Sequence, residues 1–209
     1  MSRGFVVAGT DTGIGKTVFS AALVAALDGI YWKPIQAGLD GETDAQTVAR
    51  LSKLAPDRIA PTVYALGMAA SPHIAARHEA IEIRQGALAL PVVDRPLVVE
   101  GAGGLLVPLS PHLMQIDLIA GWSLPVILCA RTALGTINHT LLSLEAMRCR
   151  SMPVHGVAFA GAPEPEVEET IVALGGVRRL GRLPPLAPLT TATLAAAFAA
   201  AFDIGDFTS

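Results

Sequence analysis

Short apolar runs alternate along the chain with longer stretches in which apolar residues recur at helical spacing. The short runs are rich in Val, Ile and Leu and predict buried strands, whereas the longer stretches predict helices. The predicted strands span residues 5–8, 30–33, 97–99, 126–129 and 154–160, and the predicted helices include residues 17–27, 140–148 and 190–202. Because several strands are apolar throughout, both faces of the sheet should be covered. The pattern predicts an α/β fold with a mostly parallel central sheet flanked by helices on both faces.

Length and hydropathy narrow this picture to one soluble domain. The chain of 209 residues suffices for one full core and is too short for two, so we expect a single domain over residues 1–209. Hydrophobic residues make up 52% of the chain, but no apolar run approaches the roughly 20 residues that a membrane span needs. Residues 1–8 lack the pattern of a signal peptide. We therefore expect a cytoplasmic protein with no membrane partner.

Charge and cysteine content exclude further classes of function. The formal net charge is −3 and the basic residues are scattered, which argues against nucleic acid as a partner. Cys129 and Cys149 are too few for a structural zinc site, and each lies in an apolar or mixed segment, so both are expected to be buried free thiols. The remaining expectation is a small-molecule ligand.

Residues 9–17 read Gly-Thr-Asp-Thr-Gly-Ile-Gly-Lys-Thr, between a predicted strand and a predicted helix. This context indicates a phosphate-binding loop, in which backbone N–H groups face phosphate oxygens. Lys16 would supply a positive charge and the Thr17 hydroxyl a ligand for Mg²⁺. Five residues rather than four separate Gly9 from Gly15, one more than in the common pattern. A glycine-rich turn with a chance Lys-Thr is the alternative, but the flanking elements favour an enzyme that uses ATP.

Two carboxylates and a second lysine are candidates for the same site. Glu100 ends a predicted strand and precedes a glycine-rich turn, and Asp44 opens a helix that Thr43 and Gln46 cap as a capping box. Either acid could bind Mg²⁺, although a solvated strand-end acid and simple helix capping are the alternatives. Lys33 follows a strand and should project from the carboxyl edge of the sheet, unless it is an ordinary surface lysine.

Another predicted helix entrance lies at residues 135–138, Gly-Thr-Ile-Asn. A helix start leaves backbone N–H groups without partners inside the helix, so residues 136–138 could hold an anion. This expectation rests on the glycine that precedes the helical stretch.

Taken together, these motifs follow one order along about the first 140 residues. They are Gly-Thr-Asp-Thr-x-x-Gly-Lys-Thr (9–17), Tyr-x-Lys-Pro-Ile-Gln-x-Gly (31–38), Thr-Asp-Ala (43–45), Ser-Pro-His (71–73), Val-Glu-Gly-Ala-Gly-Gly (99–104) and Leu-Gly-Thr-Ile-Asn-His (134–139). Each motif alone has low or moderate specificity, but the ordered set resembles the dethiobiotin synthetase family. The resemblance implies a P-loop NTPase fold and a homodimer.

The activity implied by this resemblance is an ATP- and Mg²⁺-dependent carboxylation. CO₂ or bicarbonate supplies the carbon that joins the two amines of 7,8-diaminononanoate into the ureido ring of dethiobiotin, with ADP and phosphate as the other products. The intermediates are a carbamate and a carbamic-phosphoric anhydride. All the reacting groups are anionic, so fixed cations are needed between them. By family correspondence Lys33 and Lys16 are catalytic, and Thr17, Asp44 and Glu100 are the metal ligands.

The same correspondence assigns the binding residues. For the nucleotide they are Gly13, Ile14, Gly15, Lys16, Thr17, Val18, Asp44, Glu100, Gly101, Ala102, Gly103, Ala160 and Gly161. For the substrate they are Thr12, Lys33, Ala37, Ser71, His73, Leu134, Gly135 and Asn138, the last three contributed by the partner subunit. The substrate site would thus lie at the homodimer interface.

Three positions depart from the family pattern. Gly13 stands where the family often has Glu, and Ala37 stands where a hydroxyl residue commonly contacts substrate. Ala160 and Gly161 occupy the place of an Asn that reads the base, so we expect weak discrimination among nucleoside triphosphates. Asp11 is a further oddity, because a carboxylate in a phosphate loop should face a lysine, either Lys16 or Lys33.

Two other classes of P-loop protein are alternatives. Cobyrinic acid diamide synthetases form related bonds but normally carry a glutaminase domain, for which this chain lacks the length. Partition or positioning ATPases carry an extra lysine early in the loop, where this chain has Thr10 and Asp11, and usually end in a basic amphipathic helix. Residues 190–209 contain no Lys or Arg, which argues against this nucleotide-switch function.

Overall fold

The structure is a computed structural model that describes residues 4–208, in which seven strands form one parallel sheet. Its strands are β1 (Gly4–Gly9), β2 (Ile30–Trp32), β4 (Ile59–Ala60), β6 (Leu97–Glu100), β9 (Val126–Arg131), β10 (Val154–Ala160) and β11 (Arg179–Leu183). They lie in the order β11-β10-β9-β1-β6-β2-β4. Two small ribbons accompany the sheet, β3 (Ile35–Ala37) with β5 (Tyr64–Leu66), and β7 (Pro108–Ser110) with β8 (Leu113–Met114).

Helices cover both faces of this sheet. They are α1 (Lys16–Ala26), α2 (Asp44–Ser52), α3 (Pro72–His78), α4 (Gln115–Trp122), α5 (Thr136–Arg148), α6 (Pro165–Gly175) and α7 (Thr191–Ala201). Short 3₁₀ turns occur at Pro56–Arg58, Gln85–Leu88 and Ile204–Phe207. None of the helices in the part of the chain that the structure describes has the length and apolar character to cross a membrane. Residues 1–3, on which the signal-peptide expectation partly rests, lie outside that part.

Strand β1 shows how the sequence builds two cores. Phe5 and Val7 face the cluster under α1, α2 and α7, whereas Val6 and Ala8 face the cluster under α4, α5 and α6. All four are buried, because successive side chains of a strand point to opposite faces. Each large apolar side chain buried in this way contributes about 1.5–3 kcal/mol. A strand that is apolar on both faces therefore belongs at the centre of a covered sheet.

The predicted strands and the α/β class are confirmed, with small shifts at strand ends. The edge strands β4 and β11 were not predicted, because β4 has two residues and β11 includes Arg179 and Arg182. The closing helix is confirmed as α7, with Thr190 as its capping residue. For the cysteines, Cys129 is buried as expected, but Cys149 is exposed. The prediction for Cys149 was wrong because that residue caps the carboxyl end of α5 at the surface.

The order of the central strands brings distant parts of the sequence to one edge. The chain passes from β1 to β2, and β6 later inserts between them. Since the strands are parallel, their carboxyl ends meet at the same edge, where ligands bind in open α/β sheets. The segments that follow these three ends carry the phosphate loop, Lys33 and the glycine-rich turn after Glu100.

Candidate active site

The loop between β1 and α1 curls so tightly that it needs glycine. Gly13 and Gly15 have positive φ values of 69° and 97°, a region that favours glycine. At Gly9 an added Cβ would lie 2.8 Å from the Nζ of Lys16, so glycine there also makes room for the lysine. Lys16 is buried, and its Nζ donates to the backbone oxygen of Asp11 at 2.7 Å. The lysine thus folds back over its own loop.

The entrance of α1 is open for an anion. Its N-cap is Gly15, which offers no side chain to satisfy the first N–H groups of the helix. Such groups, together with the helix dipole, favour phosphate oxygens. The phosphate-binding geometry predicted for this loop is therefore compatible with the structure.

Three oxygen-bearing side chains from separate elements converge beside this entrance. The Oγ1 of Thr17 lies 3.0 Å from the Oδ1 of Asp44 and 2.9 Å from the Oε1 of Glu100. A hydroxyl carries one proton, so Thr17 can donate to only one of these carboxylates at a time. Asp44 is placed by the predicted capping box, in which Thr43 accepts from the backbone N–H of Gln46.

Lys33 bridges both carboxylates from within the protein. Its Nζ lies 2.7 Å from the Oδ2 of Asp44 and 3.1 Å from the Oε1 of Glu100, and it donates to the backbone oxygen of Gly101 at 3.0 Å. Only 3% of Lys33 and 1% of Glu100 is exposed. The alternatives of a surface lysine and a solvated strand-end acid are therefore wrong.

The electrostatics of the site follow from this burial and pairing. Burial opposes the charge on Lys33, but Glu100 and Asp44 outweigh it and raise the pKa of Lys33 above the usual lysine value. Burial also opposes ionisation of Asp44, yet the nearby Lys33 cation holds the pKa of Asp44 below its usual value. For Lys16, burial and the Lys33 charge lower the pKa. Lys33 and Asp44 thus stay ionised as a pair around neutral pH.

Three neighbouring side chains with structural roles at the site were missed from the sequence. The Tyr31 hydroxyl donates to the Oε2 of Glu100 at 2.9 Å, and burial raises the pKa of Tyr31 well above its usual value. The Oε1 of Gln36 accepts from the backbone N–H of Asp44 at 3.3 Å. Both residues belong to the motif around Lys33, so the motif held a usable signal. No pattern in the sequence indicated Gln115, although its side chain braces the turn after Glu100.

The Gln115 contacts fix the shape of that turn. Its Oε1 accepts from the Ala102 N–H at 2.6 Å and its Nε2 donates to the Gly104 oxygen at 2.9 Å. Gln115 is itself buried. The turn therefore has little freedom to move away from Lys33, which holds the Gly101 oxygen from the other side.

A cavity of about 460 Å³ opens beside Lys33. It gathers several of the predicted substrate and nucleotide residues: Thr12, Lys33, Ala37, Asp44, Ser71, Ala102 and Gly103. His73, which was predicted to bind the substrate, is not among the residues that line this cavity. Instead the Nδ1 of His73 lies 3.0 Å from the Oγ of Ser71, so His73 contacts a lining residue.

A second pocket of about 290 Å³ lies against residues 13–15 of the phosphate loop. It brings together the predicted nucleotide residues Gly13, Ile14, Gly15, Val18, Ala160 and Gly161. Its remaining wall is formed by Leu183, Pro184, Pro185, Leu186 and Leu189, together with Arg131. The pocket is therefore mostly apolar and continuous with the loop that would hold phosphates.

The predicted segment Leu134, Gly135 and Asn138 is exposed and lines neither pocket. Helix α5 begins at Thr136 as expected, but the Thr136 N–H donates to the Ala133 oxygen at 3.2 Å. The expectation of a free N–H at Thr136 was therefore wrong. Leu134 is fully exposed, so within one chain this segment contributes nothing to the cavity at Lys33.

The expectation that the Asp11 carboxylate faces a lysine was wrong. Its Oδ1 accepts from the Thr12 N–H at 2.7 Å, and its Oδ2 lies 4.0 Å from an Nη atom of Arg131. Lys16 contacts the backbone oxygen of Asp11 rather than the carboxylate. The turn directs the Asp11 side chain outward, where an arginine from β9 is the nearest cation.

Comparison with known proteins finds relatives that match nearly the whole chain. A family model described as an AAA domain matches residues 3–193. The ATP-dependent dethiobiotin synthetase BioD of Rhodopseudomonas palustris is 63% identical over 99% of this chain and 97% of its own length. The protein of the same name from Nitrobacter hamburgensis is 62% identical over 99% and 98%.

Solved structures show the same fold at low sequence identity. A ParA family ATPase from Chlorobium tepidum matches with a TM-score of 0.52 at 11% identity, over 96% of this chain and 93% of that one. The MinC:MinD cell division complex of Aquifex aeolicus gives 0.51 at 11% identity, over 94% and 86%. These likenesses concern the fold alone, whereas the close relatives decide the family. The chain belongs to the ATP-dependent dethiobiotin synthetase family.

Proposed function

We propose that this chain converts 7,8-diaminononanoate, CO₂ and ATP into dethiobiotin, ADP and phosphate, as a step of biotin biosynthesis. The observation that carries the residue assignment is the buried Lys33, held between Asp44 and Glu100 at the rim of the 460 Å³ cavity. A cation in that position lies between the phosphate loop and the space for an organic substrate. Its charge is fixed before any anion arrives, which favours anionic transition states.

The reaction begins when one amine of the substrate attacks CO₂ and loses a proton, giving a carbamate. A carbamate oxygen then attacks the γ-phosphorus of ATP, and ADP leaves. The second amine attacks the carbonyl carbon of the resulting anhydride, expels phosphate and loses a proton as the ring closes. We assign Lys33 to the carbamate and Lys16 to the phosphates, because each step concentrates negative charge between these two residues.

We place the nucleotide along the phosphate loop, with its base in the 290 Å³ pocket. Gly13, Gly15 and the first N–H groups of α1 hold the phosphates in this proposal, and Thr17 and Val18 follow them along the helix. Gly101, Ala102 and Gly103 face the phosphates from the other side. Ala160 and Gly161 line the base pocket, where they offer backbone but no amide side chain.

Mg²⁺ fits the oxygen donors of Thr17, Asp44 and Glu100. These are hard ligands that converge within hydrogen-bond distance of one hydroxyl. Among residues 4–208 there is no group of three or more His, Cys, Asp or Glu that could hold a metal alone, so phosphate oxygens would complete the ligand set. When bound, Mg²⁺ supplies positive charge to the triphosphate. Lys33 contacts Asp44 and Glu100, two of the proposed Mg²⁺ ligands. This lysine would therefore keep both carboxylates in place without the metal.

We further propose that the substrate site is completed in a homodimer. Leu134 is fully exposed, and the apolar side chains of Leu106 and Leu142 are more than half exposed. Leu106 and Leu142 line a groove of about 390 Å³ that reaches the phosphate loop at Thr12. In this arrangement the N–H groups of Ile137 and Asn138, which follow the bonded Thr136 N–H at the start of α5, hold the carboxylate of the diamine bound in the opposite subunit. Ser71 and His73 approach the substrate from its own subunit.

Purified protein tests the assignment. Mg-ATP, bicarbonate and 7,8-diaminononanoate should give dethiobiotin, with phosphate released only when the diamine is present. Absence of diamine-dependent phosphate release would contradict the proposed reaction. A single domain over residues 1–209 and a cytoplasmic location belong to the same proposal.

The base pocket predicts weak selectivity for the nucleotide. Residues Ala160 and Gly161 present no side-chain amide that could read the edge of a base, so ATP, GTP and CTP should support turnover at similar rates at matched concentrations. Steady-state phosphate release with each nucleotide measures this. Turnover with ATP that exceeds the others by orders of magnitude would show that the base is read by a group not recognised in the pocket.

A further inference from the structure

The base pocket contains one cation that the proposed function leaves unused. Among the described residues that line it, only Arg131 carries a charged side chain, and the other lining side chains are apolar or absent. Arg131 is the last residue of β9, and 41% of its side chain is exposed. It is therefore accessible from the pocket without any rearrangement of the core.

The register of the sheet places Arg131 between the phosphate loop and the base pocket, beside a nucleotide bound as proposed. Strand β9 lies between β1, which leads into the phosphate loop, and β10, which ends at the base pocket. Arg131 pairs with Ala160 at the carboxyl end of β10. A nucleotide with its phosphates on the loop and its base in the pocket therefore crosses the end of β9.

Within residues 4–208, the guanidinium of Arg131 forms one ion pair, and this pair is loose. Its Nη lies 4.0 Å from the Oδ2 of Asp11, and half of the Asp11 side chain is exposed. Exposed pairs at such distances contribute about 0–1 kcal/mol. Asp11 limits the reach of the guanidinium without fixing it, so its planar face remains available.

We propose that Arg131 is a nucleotide-binding residue that covers the base with the face of its guanidinium. This rests on the proposed placement of the base in the 290 Å³ pocket. A guanidinium is planar and delocalised, and it stacks on aromatic rings. Every nucleobase offers such a face, so this contact is tolerant of the base. Arg131 thus provides affinity in a pocket that lacks an edge-reading amide and whose other lining side chains, such as that of Leu186, are apolar.

Binding measurements on Arg131→Ala test this proposal without turnover. The dissociation constants of ATP, GTP and CTP, measured by calorimetry, should all rise by roughly threefold to thirtyfold. Inorganic triphosphate, which has no base, should bind the variant and the wild type equally. Arg131→Lys should lose nearly as much affinity as Arg131→Ala, because an ammonium keeps the charge without the planar face.

Arg95→Ala is the matched control. Arg95 is 42% exposed and pairs with Asp28, as Arg131 pairs with Asp11, but it lines neither pocket. Its removal should leave every dissociation constant unchanged. Unchanged nucleotide affinity in Arg131→Ala would overturn the proposal, and so would an equal loss for inorganic triphosphate, which would make the contact one to phosphate. Wild-type protein that binds ATP but forms no dethiobiotin would refute the proposed reaction. The dissociation constants of Arg131→Ala would still test the contact between Arg131 and the base.

Discussion

Lys33→Met isolates the charge that holds the two carboxylates together. Methionine has similar length and fills the space of the lysine stem, so the change removes an ammonium without opening a large cavity. Asp44 and Glu100 then face each other with hydroxyl donors only, from Thr17 and Tyr31. Glu100 is 1% exposed, so water cannot compensate for the lost cation.

The expected loss follows from the burial of each partner. Removing one member of a buried ion pair costs about 3–5 kcal/mol. Glu100 falls in that class, whereas the Asp44 side chain is 32% exposed and its share is screened by solvent. We therefore expect the free energy of unfolding to fall by about 3 kcal/mol, at the lower end of the range. For a domain of this size that corresponds to a melting temperature lower by roughly 6–12 °C.

The loss should depend on pH in a defined direction. The raised pKa of Lys33 and the lowered pKa of Asp44 stabilise the wild type between the unfolded values of about 4 for Asp and 10 for Lys. That stability is lost as the pH falls through the folded pKa of Asp44 or rises through that of Lys33. Protonation of Asp44 removes its pairing with Lys33 from the wild type, so the deficit of the variant should shrink as the pH falls below about 4.

Urea and thermal unfolding of the ligand-free proteins at about pH 8 and about pH 3 measure both effects, with Lys53→Met as the control because Lys53 is exposed. Turnover should fall by orders of magnitude in Lys33→Met while nucleotide binding persists, since a transition-state contact is removed. A variant as stable as the wild type at pH 8, or an equal deficit at both pH values, would refute the electrostatic reasoning. Equal loss of turnover and nucleotide binding would contradict the catalytic role.

Two further substitutions and one titration have defined outcomes. Tyr31→Phe removes the donor to Glu100 and should cost about 1–3 kcal/mol in urea unfolding; no change would mean that the hydroxyl contributes nothing. Because burial lowers the pKa of Lys16, nucleotide binding at alkaline pH should take up protons, seen as buffer-dependent calorimetric heats, and buffer-independent heats would contradict this. Gly161→Ala places a Cβ 2.3 Å from the Thr132 hydroxyl oxygen and should lower the melting temperature; an unchanged value would contradict this close approach.

The sequence could predict features whose cause is local. Alternating apolar runs predicted five of the seven strands of the sheet, the capping box placed Asp44 at a helix start, and the glycines of residues 9–17 predicted a phosphate loop. Each of these depends on neighbours in the chain, on backbone conformation or on side-chain periodicity. Resemblance in ordered motifs then indicated the family, which the relatives confirmed.

The tertiary structure decided which charges meet. Lys33 and Glu100 are 67 residues apart, and β6 inserts beside β2 only in the folded sheet, where their pairing excludes the alternative of a surface lysine. The outward turn of Asp11 toward Arg131, the brace of Gln115 and the exposure of Cys149 have no local signal in the sequence. These contacts depend on strand order and burial, since a charge becomes functional or solvated according to what packs around it. The phosphate loop could thus be recognised from a few consecutive residues, whereas the site it serves exists only through long-range packing.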